Sequence, residues 1–208
     1  MTKIICISDN HNILTTKIPD GDILIHAGDL TDHGSMDEIV RGLDWLALQK
    51  PELKIFVPGN HDFGFQHNPK ETRQLCEDRN IVLLIDEEFH SHGITFYGSP
   101  WLPAVKKWAF GLERGQQLKE KWDAIPRDTD VLITHAAPMN VLDLPYGSLP
   151  IGCYDLYEAV QETAPYLHVF GHVHNSHGVK PALTTLSVNA SLCGESYRCE
   201  NPPVVVHI

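Results

Sequence analysis

The feature that most constrains the fold is a regular alternation of short apolar runs, rich in β-branched residues, with segments of helical periodicity. Strands are predicted for residues 3–8, 22–27, 54–57, 81–85, 94–97, 130–134, 167–170, 184–189 and 204–207. Helices are predicted for residues 36–48, 69–79, 114–122 and 154–163, with Ser35 or Asp37 available to cap the first. This alternation is typical of an α/β domain with a buried sheet. The length of 208 residues and the lack of a low-complexity linker predict a single domain, residues 1–208.

The charge balance disfavours one class of partner. The chain has 27 acidic and 16 basic residues, for a formal net charge of −11. Affinity for long nucleic acid depends largely on neutralisation of phosphates by Lys and Arg, so we expect no long nucleic-acid partner. A small phosphate ester bound beside metal cations remains compatible with this charge, because the cations dominate the local field.

The apolar segments are too short for a membrane protein. No run approaches the roughly 18 apolar residues that a spanning helix needs. The apolar segment at residues 4–7 is soon followed by Asp9 and His11, which makes it too short for a signal peptide. We therefore expect a cytoplasmic protein with no membrane partner. The sequence leaves the oligomeric state open.

The cysteines indicate neither a disulfide framework nor a thiolate metal site. The five, Cys6, Cys76, Cys153, Cys193 and Cys199, are scattered and form no Cys-x-x-Cys pair. An odd number without such spacing favours buried or idle thiols.

Metal-capable side chains follow five of the predicted strands. The five blocks are Asp9 and His11; Gly28, Asp29 and Asp32; Gly59, Asn60, His61 and Asp62; His135; and Gly171, His172 and His174. In open α/β sheets, ligands bind in the crevice outside the carboxyl ends of the strands, so five such loops can meet at one point. The first, second and fourth blocks are weak signals alone, and the third and fifth are more specific. The ordered set of five is not readily explained by chance.

The residue types in these blocks suit hard or borderline divalent cations. Carboxylate, imidazole and amide oxygen, without thiolate, favour Mn, Fe, Zn, Mg, Co or Ni. The i, i+2 spacing of Asp9/His11 and of His172/His174 would place each pair on one face of an extended backbone. A glycine precedes each of Asp29, Asn60 and His172, and each glycine allows a tight turn without a Cβ clash.

Several other residues have two interpretations from the sequence. Asp32 is either an orienting partner of His11 or a turn residue, and Asn10 and Asn12 either touch phosphate or form the turn, which we favour. Four aromatic residues could either stack on a nucleobase or pack in the core, and we favour packing: Phe63, Phe65, Trp101 and Trp108. His33, His67 and His177 either approach the substrate or are exposed residues with no role, and we favour the second interpretation. The long irregular segments 100–114 and 138–152 are expected near the site.

The ordered blocks resemble the signature of the calcineurin-like metallophosphoesterases. Within that superfamily the chain is most similar to the metallophosphoesterase-domain-containing (MPPED) branch. The segments that carry the likeness are GSPW at 98–101, RGQQLKEKWDAIP at 114–126, LHVFGHVH at 167–174, and TTLSVNAS with NPPVVV in the tail. Two departures are Ala136-Ala137-Pro138 after His135, where Gly-Pro-Pro often follows, and Asp62, where the branch often has Glu.

The resemblance implies a fold and a set of site roles. The fold is a four-layer α/β/β/α sandwich of two mixed β-sheets flanked by helices. The first metal would be bound by Asp9, His11 and His174, the second by Asn60, His135 and His172, and Asp29 would bridge both. His61 would lie beside the scissile phosphate, so Asn60 and His61 are the expected substrate-binding residues.

The implied chemistry is hydrolysis of a phosphate ester. Two metals about 3.5–4 Å apart provide a hydroxide held between them and neutralise the phosphate oxygens. His61, paired with Asp62 or Asp29, would protonate the leaving group, so His61 and Asp62 are the expected catalytic residues. Two divalent ions are the expected cofactors, with manganese first and Fe, Zn, Ni, Co or Mg as alternatives.

The expected substrate is a small phosphodiester, with cyclic nucleotides (2′,3′- or 3′,5′-) as candidates. Two other classes stay open at this point. One is a phosphomonoesterase acting on nucleotides or phosphoproteins. The other is a non-catalytic, metal-dependent nucleotide-binding protein on the same fold.

Overall fold

The computed structural model describes residues 1–103, 107–145, 149–182 and 184–208. Its strands are β1 Lys3–Ile7, β2 Ile23–His26, β3 Leu53–Phe56, β4 Ile81–Leu83, β5 Glu87–Ser91, β6 Ile94–Ser99, β7 Leu102–Pro103, β8 Gly111–Leu112, β9 Val131–Thr134, β10 Leu167–Phe170, β11 Gly178–Ala182, β12 Thr185–Asn189 and β13 Val204–His207. Its helices are α1 Met36–Ala47, α2 Phe63–His67, α3 Pro69–Glu77, α4 Gln116–Trp122 and α5 Tyr154–Thr163, with a 3₁₀ turn at His174–Ser176.

The strands form two large mixed sheets. The first has the order β13-β1-β2-β3-β4, with β1 to β4 parallel and β13 antiparallel at one edge. The second has the order β11-β12-β10-β9-β6-β5, with antiparallel strands at both edges of a parallel centre. The prediction of two mixed sheets flanked by helices is confirmed.

The two sheets pack face to face because alternate side chains of each strand point into a shared core. Ile4 and Cys6 of β1 belong to one buried cluster with Val131 and Ile133 of β9. Their neighbours of opposite parity, such as Ile5, belong to a second cluster on the other side. Period-two alternation on strands buried on both faces therefore produces two separate apolar layers per sheet.

The helices cover the outer faces of the sheets. Helix α1 buries Ile39, Leu43 and Leu46, whose spacing places them on one helical face, in the same cluster as Ile5. Its N-terminus is closed by a capping box, in which the Ser35 hydroxyl accepts from the Glu38 backbone and the Glu38 carboxylate accepts from the Ser35 backbone. Across the part of the chain that the structure describes, no helix is long and apolar enough to cross a membrane.

The cysteine prediction is wrong for two of the five residues. Cys193 and Cys199 are joined as a disulfide, and they close a short loop after β12. Cys6, Cys76 and Cys153 are buried free thiols, as expected. Sequence spacing did not indicate the pair, because its two members are brought together by a turn at residues 194–198 rather than by a Cys-x-x-Cys motif.

Candidate metal centre

The carboxyl ends of the parallel strands from both sheets meet at one edge of the sandwich. The Asp9 backbone N–H donates to the Gly28 carbonyl at 2.9 Å, which joins the ends of β1 and β2. In the second sheet the Gly171 N–H donates to the His135 carbonyl at 3.2 Å, and an isolated bridge pairs Ser8 with Ser191 across the two sheets. Loops distant in sequence are thereby held next to one another.

Three groups of candidate ligands lie at this edge, each with its ligand atoms within 4.8 Å of one another. They are Asp9, His11 and His174; His11, Asp29 and His61; and Asp29, His135 and His172. Asp29 belongs to two of the groups. Asn60 joins the last one, because its Oδ1 lies 2.9 Å from His135 Nε2. The structure thus brings together all seven residues that the sequence suggested as metal ligands.

Backbone carbonyls orient two of the imidazoles. His135 Nδ1 lies 2.9 Å from the Ala27 carbonyl oxygen, and His174 Nδ1 lies 3.2 Å from that of Gly194. Since a carbonyl can only accept, Nδ1 carries a proton, and in the neutral ring Nε2 has a lone pair facing the cluster. This arrangement, common among histidine metal ligands, fits a divalent cation.

Asp9 is oriented by hydrogen bonds that direct its Oδ1 toward His174. Its Oδ2 accepts from the hydroxyls of Ser8 and Ser191, and the His172 N–H reaches both carboxylate oxygens at 3.0 and 3.1 Å. Its Oδ1 lies 3.4 Å from His174 Nε2. The carboxylate is fully buried, so its charge requires compensation from hydrogen bonds and cations.

The charges of the cluster shift the pKa values of its members in opposite directions. Burial alone would raise the pKa of Asp9 and of Asp29, but His174 and His135 hold that of Asp9, and His135 and His11 that of Asp29, well below the ordinary range. Burial opposes the charged form of His135, yet the Asp29 carboxylate at 3.2 Å outweighs it and raises the pKa of His135 to about 9. Burial lowers the pKa of His172 to about 4, which keeps that ring neutral.

The backbone at the site adopts conformations that the i, i+2 argument did not anticipate. Asp9, His11, Asp29 and His172 all have positive φ, at 51°, 44°, 55° and 68°. The side chains of Asp9 and His11 converge through left-handed turns, so the expected extended geometry is wrong. Left-handed non-glycine residues cost on the order of 1–3 kcal/mol each and cluster at functional sites.

The glycines before these residues allow close approach of the loops. A Cβ at Gly28 would overlap with the His135 ring, and one at Gly59 would overlap with the Asp29 carboxylate. A Cβ at Gly171 would overlap with the Asp9 carboxylate. Only Gly28 of the three also needs its positive φ, of 101°.

The expected pairing of His61 with Asp62 is corrected by the structure. The fully buried Asp62 carboxylate accepts from the backbone N–H of Leu30, Thr31 and Gly59 at 3.3, 2.9 and 2.8 Å, and from the Thr31 hydroxyl at 2.6 Å. It connects the loop that carries Asp29 to the loop that begins at Gly59. Asp62 is therefore a positioning residue that lies behind the site.

The partner of the His61 ring is Asp32. His61 Nδ1 lies 2.6 Å from the Asp32 carbonyl oxygen and 3.9 Å from its Oδ1, while the Asp29 carboxylate accepts from the His61 backbone N–H at 2.7 Å. The same Asp32 oxygen lies 4.0 Å from His11 Nδ1, a buried nitrogen with no hydrogen-bond partner among the described residues. Asp32 therefore orients the ring of His61 and makes no hydrogen bond to His11, the residue for which the sequence suggested an orienting role.

The two asparagines of the first block have structural contacts, which favours the turn interpretation. Asn10 is buried, with its Oδ1 2.8 Å from His26 Nε2, and Asn12 donates to the Glu38 carbonyl at 2.9 Å.

Among the candidate aromatics, Phe65 is buried and Phe63 packs against the core. Trp101 donates to Asp86, whereas Trp108 lines the cavity beside the candidate ligands. None of His33, His67 and His177 lines that cavity.

Sequence reasoning missed part of the cavity wall. Glu195 and Tyr197, in the loop between Cys193 and Cys199, line the same cavity as Asp29 and His61. No sequence motif identifies that loop. The signal available from the sequence was that the loop follows the predicted strand 184–189, as the other site loops follow strands. The irregular segments 100–114 and 138–152 do reach the cavity through Trp108, Pro145 and Ile151, although residues 104–106 and 146–148 lie outside the described part of the chain.

Comparisons with known proteins agree with this arrangement. Residues 2–176 match the sequence profile described as Calcineurin-like phosphoesterase. Metallophosphoesterase domain-containing protein 1 of Homo sapiens is 38% identical over 231 residues, covering 100% of this chain and 71% of that protein. A UPF0046 protein of Caenorhabditis elegans is 36% identical over 219 residues, covering 99% of this chain and 75% of that protein.

Solved structures share the fold. The protein TT1561 of Thermus thermophilus superposes with a TM-score of 0.61 at 14% identity, covering 90% of this chain and 88% of that chain. Another solved structure superposes with a TM-score of 0.69 at 16% identity, covering 90% of both chains.

Proposed function

Because the chain belongs to the calcineurin-like phosphoesterase family, we propose that it hydrolyses small phosphodiesters, with cyclic nucleotides as candidate substrates, at a centre of two divalent metal ions. Membership of the family makes the chain a metal-dependent phosphoesterase. The preference for diesters and the identity of the ions, for which manganese is our first candidate, belong to the proposal.

The observation that carries the proposal is the shared position of Asp29. Its carboxylate takes part in two ligand groups, one with His11 and His61 and one with His135 and His172. A carboxylate with two oxygens can bind one ion on each side and so set the distance between them. We assign Asp9, His11 and His174 to one ion, Asn60, His135 and His172 to the other, and Asp29 to both. When bound, such ions act as Lewis acids toward phosphate oxygens and lower the pKa of water toward neutrality.

His61 has the geometry of a proton donor to the leaving group. It lines the cavity, and its Nδ1–H is held by the Asp32 carbonyl at 2.6 Å, which leaves Nε2 as the atom that can carry a proton to the departing oxygen. We assign to Asn60 contact with an ion and a phosphate oxygen, because it lines the same cavity and its Oδ1 lies 2.9 Å from His135 Nε2.

The test is hydrolysis of bis-p-nitrophenyl phosphate by metal-stripped protein, with and without added manganese. We expect turnover that requires the metal and is abolished in Asp29→Ala. The matched control is Asp128→Ala, which removes an exposed carboxylate and should behave as the parent protein.

Two results would contradict the proposal. A strong preference for p-nitrophenyl phosphate would establish a phosphomonoesterase and refute the diesterase assignment. Absence of turnover of either substrate with manganese, nickel, cobalt, zinc or magnesium, in folded protein, would refute catalysis of this type.

A further inference from the structure

The cavity beside the candidate ligands has an outer wall that the metal chemistry does not require. It has a volume of about 220 Å³ and is lined on one side by Asp29, Asn60, His61, His172 and His174. The rest of its described lining is Trp108, Pro145, Ile151, Val173, Asn175, Glu195 and Tyr197. Ligand cavities of proteins commonly span about 300–1,000 Å³, so this one suits a small organic group next to the phosphate.

Two aromatic rings stand on opposite sides of the proposed ion pair. The Trp108 ring centre lies 5.3 Å from that of His172, on the side of one ion, and the Tyr197 ring centre lies 5.1 Å from that of His174, on the side of the other. The two residues are 44% and 47% exposed, and both line the cavity, so neither is enclosed in the protein core. Faces of this kind attract cations through the negative potential of the ring.

The charge of the outer wall has one sign. Glu195 is exposed and is its only charged side chain among the described residues, which include no Lys or Arg along the cavity. Lys107 and Arg198 are exposed neighbours of Trp108 and Tyr197 in sequence, and neither lines the cavity. Bound ions would neutralise the substrate phosphate, so the wall would face the alcohol part of the ester.

We propose that Trp108, Glu195 and Tyr197 form a subsite that selects the substrate by the charge of its alcohol group, preferring a cationic ammonium group to a neutral one and a neutral group to an anionic one. The proposal rests on the phosphodiesterase function proposed above and adds the class of ester that the site accepts. Two aromatic faces and one carboxylate all favour positive charge, and the same carboxylate repels a second negative charge on the substrate.

A matched series of chromogenic diesters tests the subsite. The three compounds are p-nitrophenyl phosphorylcholine, its uncharged carbon isostere p-nitrophenyl 3,3-dimethylbutyl phosphate, and a p-nitrophenyl alkyl phosphate of similar length ending in a carboxylate. For the manganese-loaded parent protein we expect kcat/KM to fall by about threefold at each step from cationic to neutral to anionic, as for charge pairs near a surface. Ratios between substrates measured on one preparation are independent of the fraction of active protein.

Variants assign the effect to residues. In Glu195→Gln the neutral-to-anionic ratio should fall to about one, and in Glu195→Lys it should invert. Tyr197→Phe keeps the aromatic face and should keep the cationic preference, whereas Tyr197→Leu should reduce it. Glu200→Gln, which changes an exposed carboxylate outside the cavity lining, is the matched control and should keep the parent ratios.

The outcomes separate the two proposals. Equal kcat/KM for the three diesters, or ratios that Glu195→Gln leaves unchanged, would overturn the subsite while the phosphodiesterase function stands. No hydrolysis of any of the three diesters by the parent protein would overturn the phosphodiesterase function, and the subsite with it.

Discussion

Replacing Asp62 by alanine tests whether this residue positions the site or takes part in the chemistry. The carboxylate is fully buried and accepts from three backbone N–H groups, those of Leu30, Thr31 and Gly59. A buried donor left without an acceptor costs about 1–3 kcal/mol, so three such donors cost about 3–9 kcal/mol. The Thr31 hydroxyl is spared, because it also reaches the His61 carbonyl at 3.1 Å.

Because the Asp62 charge is buried, the expected loss of unfolding free energy lies toward the lower end of that range. Burial, followed by the neighbouring Asp29 charge, raises the pKa of Asp62 to about 6, which means that the ionised carboxylate is held at a cost. We therefore expect the free energy of unfolding of Asp62→Ala to fall by about 3 kcal/mol at pH 7. Denaturant unfolding of the metal-free protein measures it, with Asp128→Ala, an exposed position, expected within about 0.5 kcal/mol of the parent.

Activity at saturating metal separates the two roles. Loss of the Asp62 contacts loosens the loops that carry Asp29 and Asn60, so the variant should need more manganese for half-maximal turnover and regain most of its kcat when manganese is in excess. A stability loss below about 1 kcal/mol, together with a kcat that excess manganese does not restore, would refute the positioning role and return Asp62 to the chemistry.

Three further outcomes are expected. His61→Ala should retain both ions by elemental analysis and lose roughly 10²- to 10⁴-fold in kcat, because it removes a proton donor and no ligand; loss of metal would identify His61 as a ligand instead. Manganese binding at pH 7 should release protons, since the pKa of His135 is raised to about 9 in the metal-free site and its imidazole binds metal only when neutral, so affinity should increase with pH up to about 9. Calorimetry in buffers of different ionisation enthalpy measures that release, and a buffer-independent enthalpy would contradict it. Thiol titration of denatured protein should find the three thiols of Cys6, Cys76 and Cys153 before reduction and two more afterwards, from the disulfide between Cys193 and Cys199; five thiols without reductant would contradict the pairing.

Much of the secondary structure follows from local pattern. Helix α5 and strands β10 and β13 have the predicted bounds, and α1 begins one residue after its predicted Ser35 cap. The unpredicted elements are short or lie at edges, such as α2 in a polar and aromatic stretch and β5 and β11 at the two edges of the second sheet. Edge strands are exposed on one side and have weak apolar periodicity, so their pairing depends on the neighbouring strand.

The sequence determined the residue types of the site and their order along the chain. Asp9, Asp29, His135 and His172 each follow an apolar run that forms a strand, and strands of a parallel sheet deliver their ends to one edge. That geometric rule holds whatever the loop conformation, which is why the convergence of the blocks could be predicted from spacing and resemblance together.

The division of these residues into candidate ligands, orienting groups and cavity wall depends on tertiary contacts. The left-handed turns at Asp9 and His11, the choice of Asp32 rather than Asp62 as the partner of His61, and the placement of Tyr197 all depend on contacts between distant segments. Local sequence cannot specify such contacts, because each is set by the packing of two sheets and not by the neighbours of the residue along the chain.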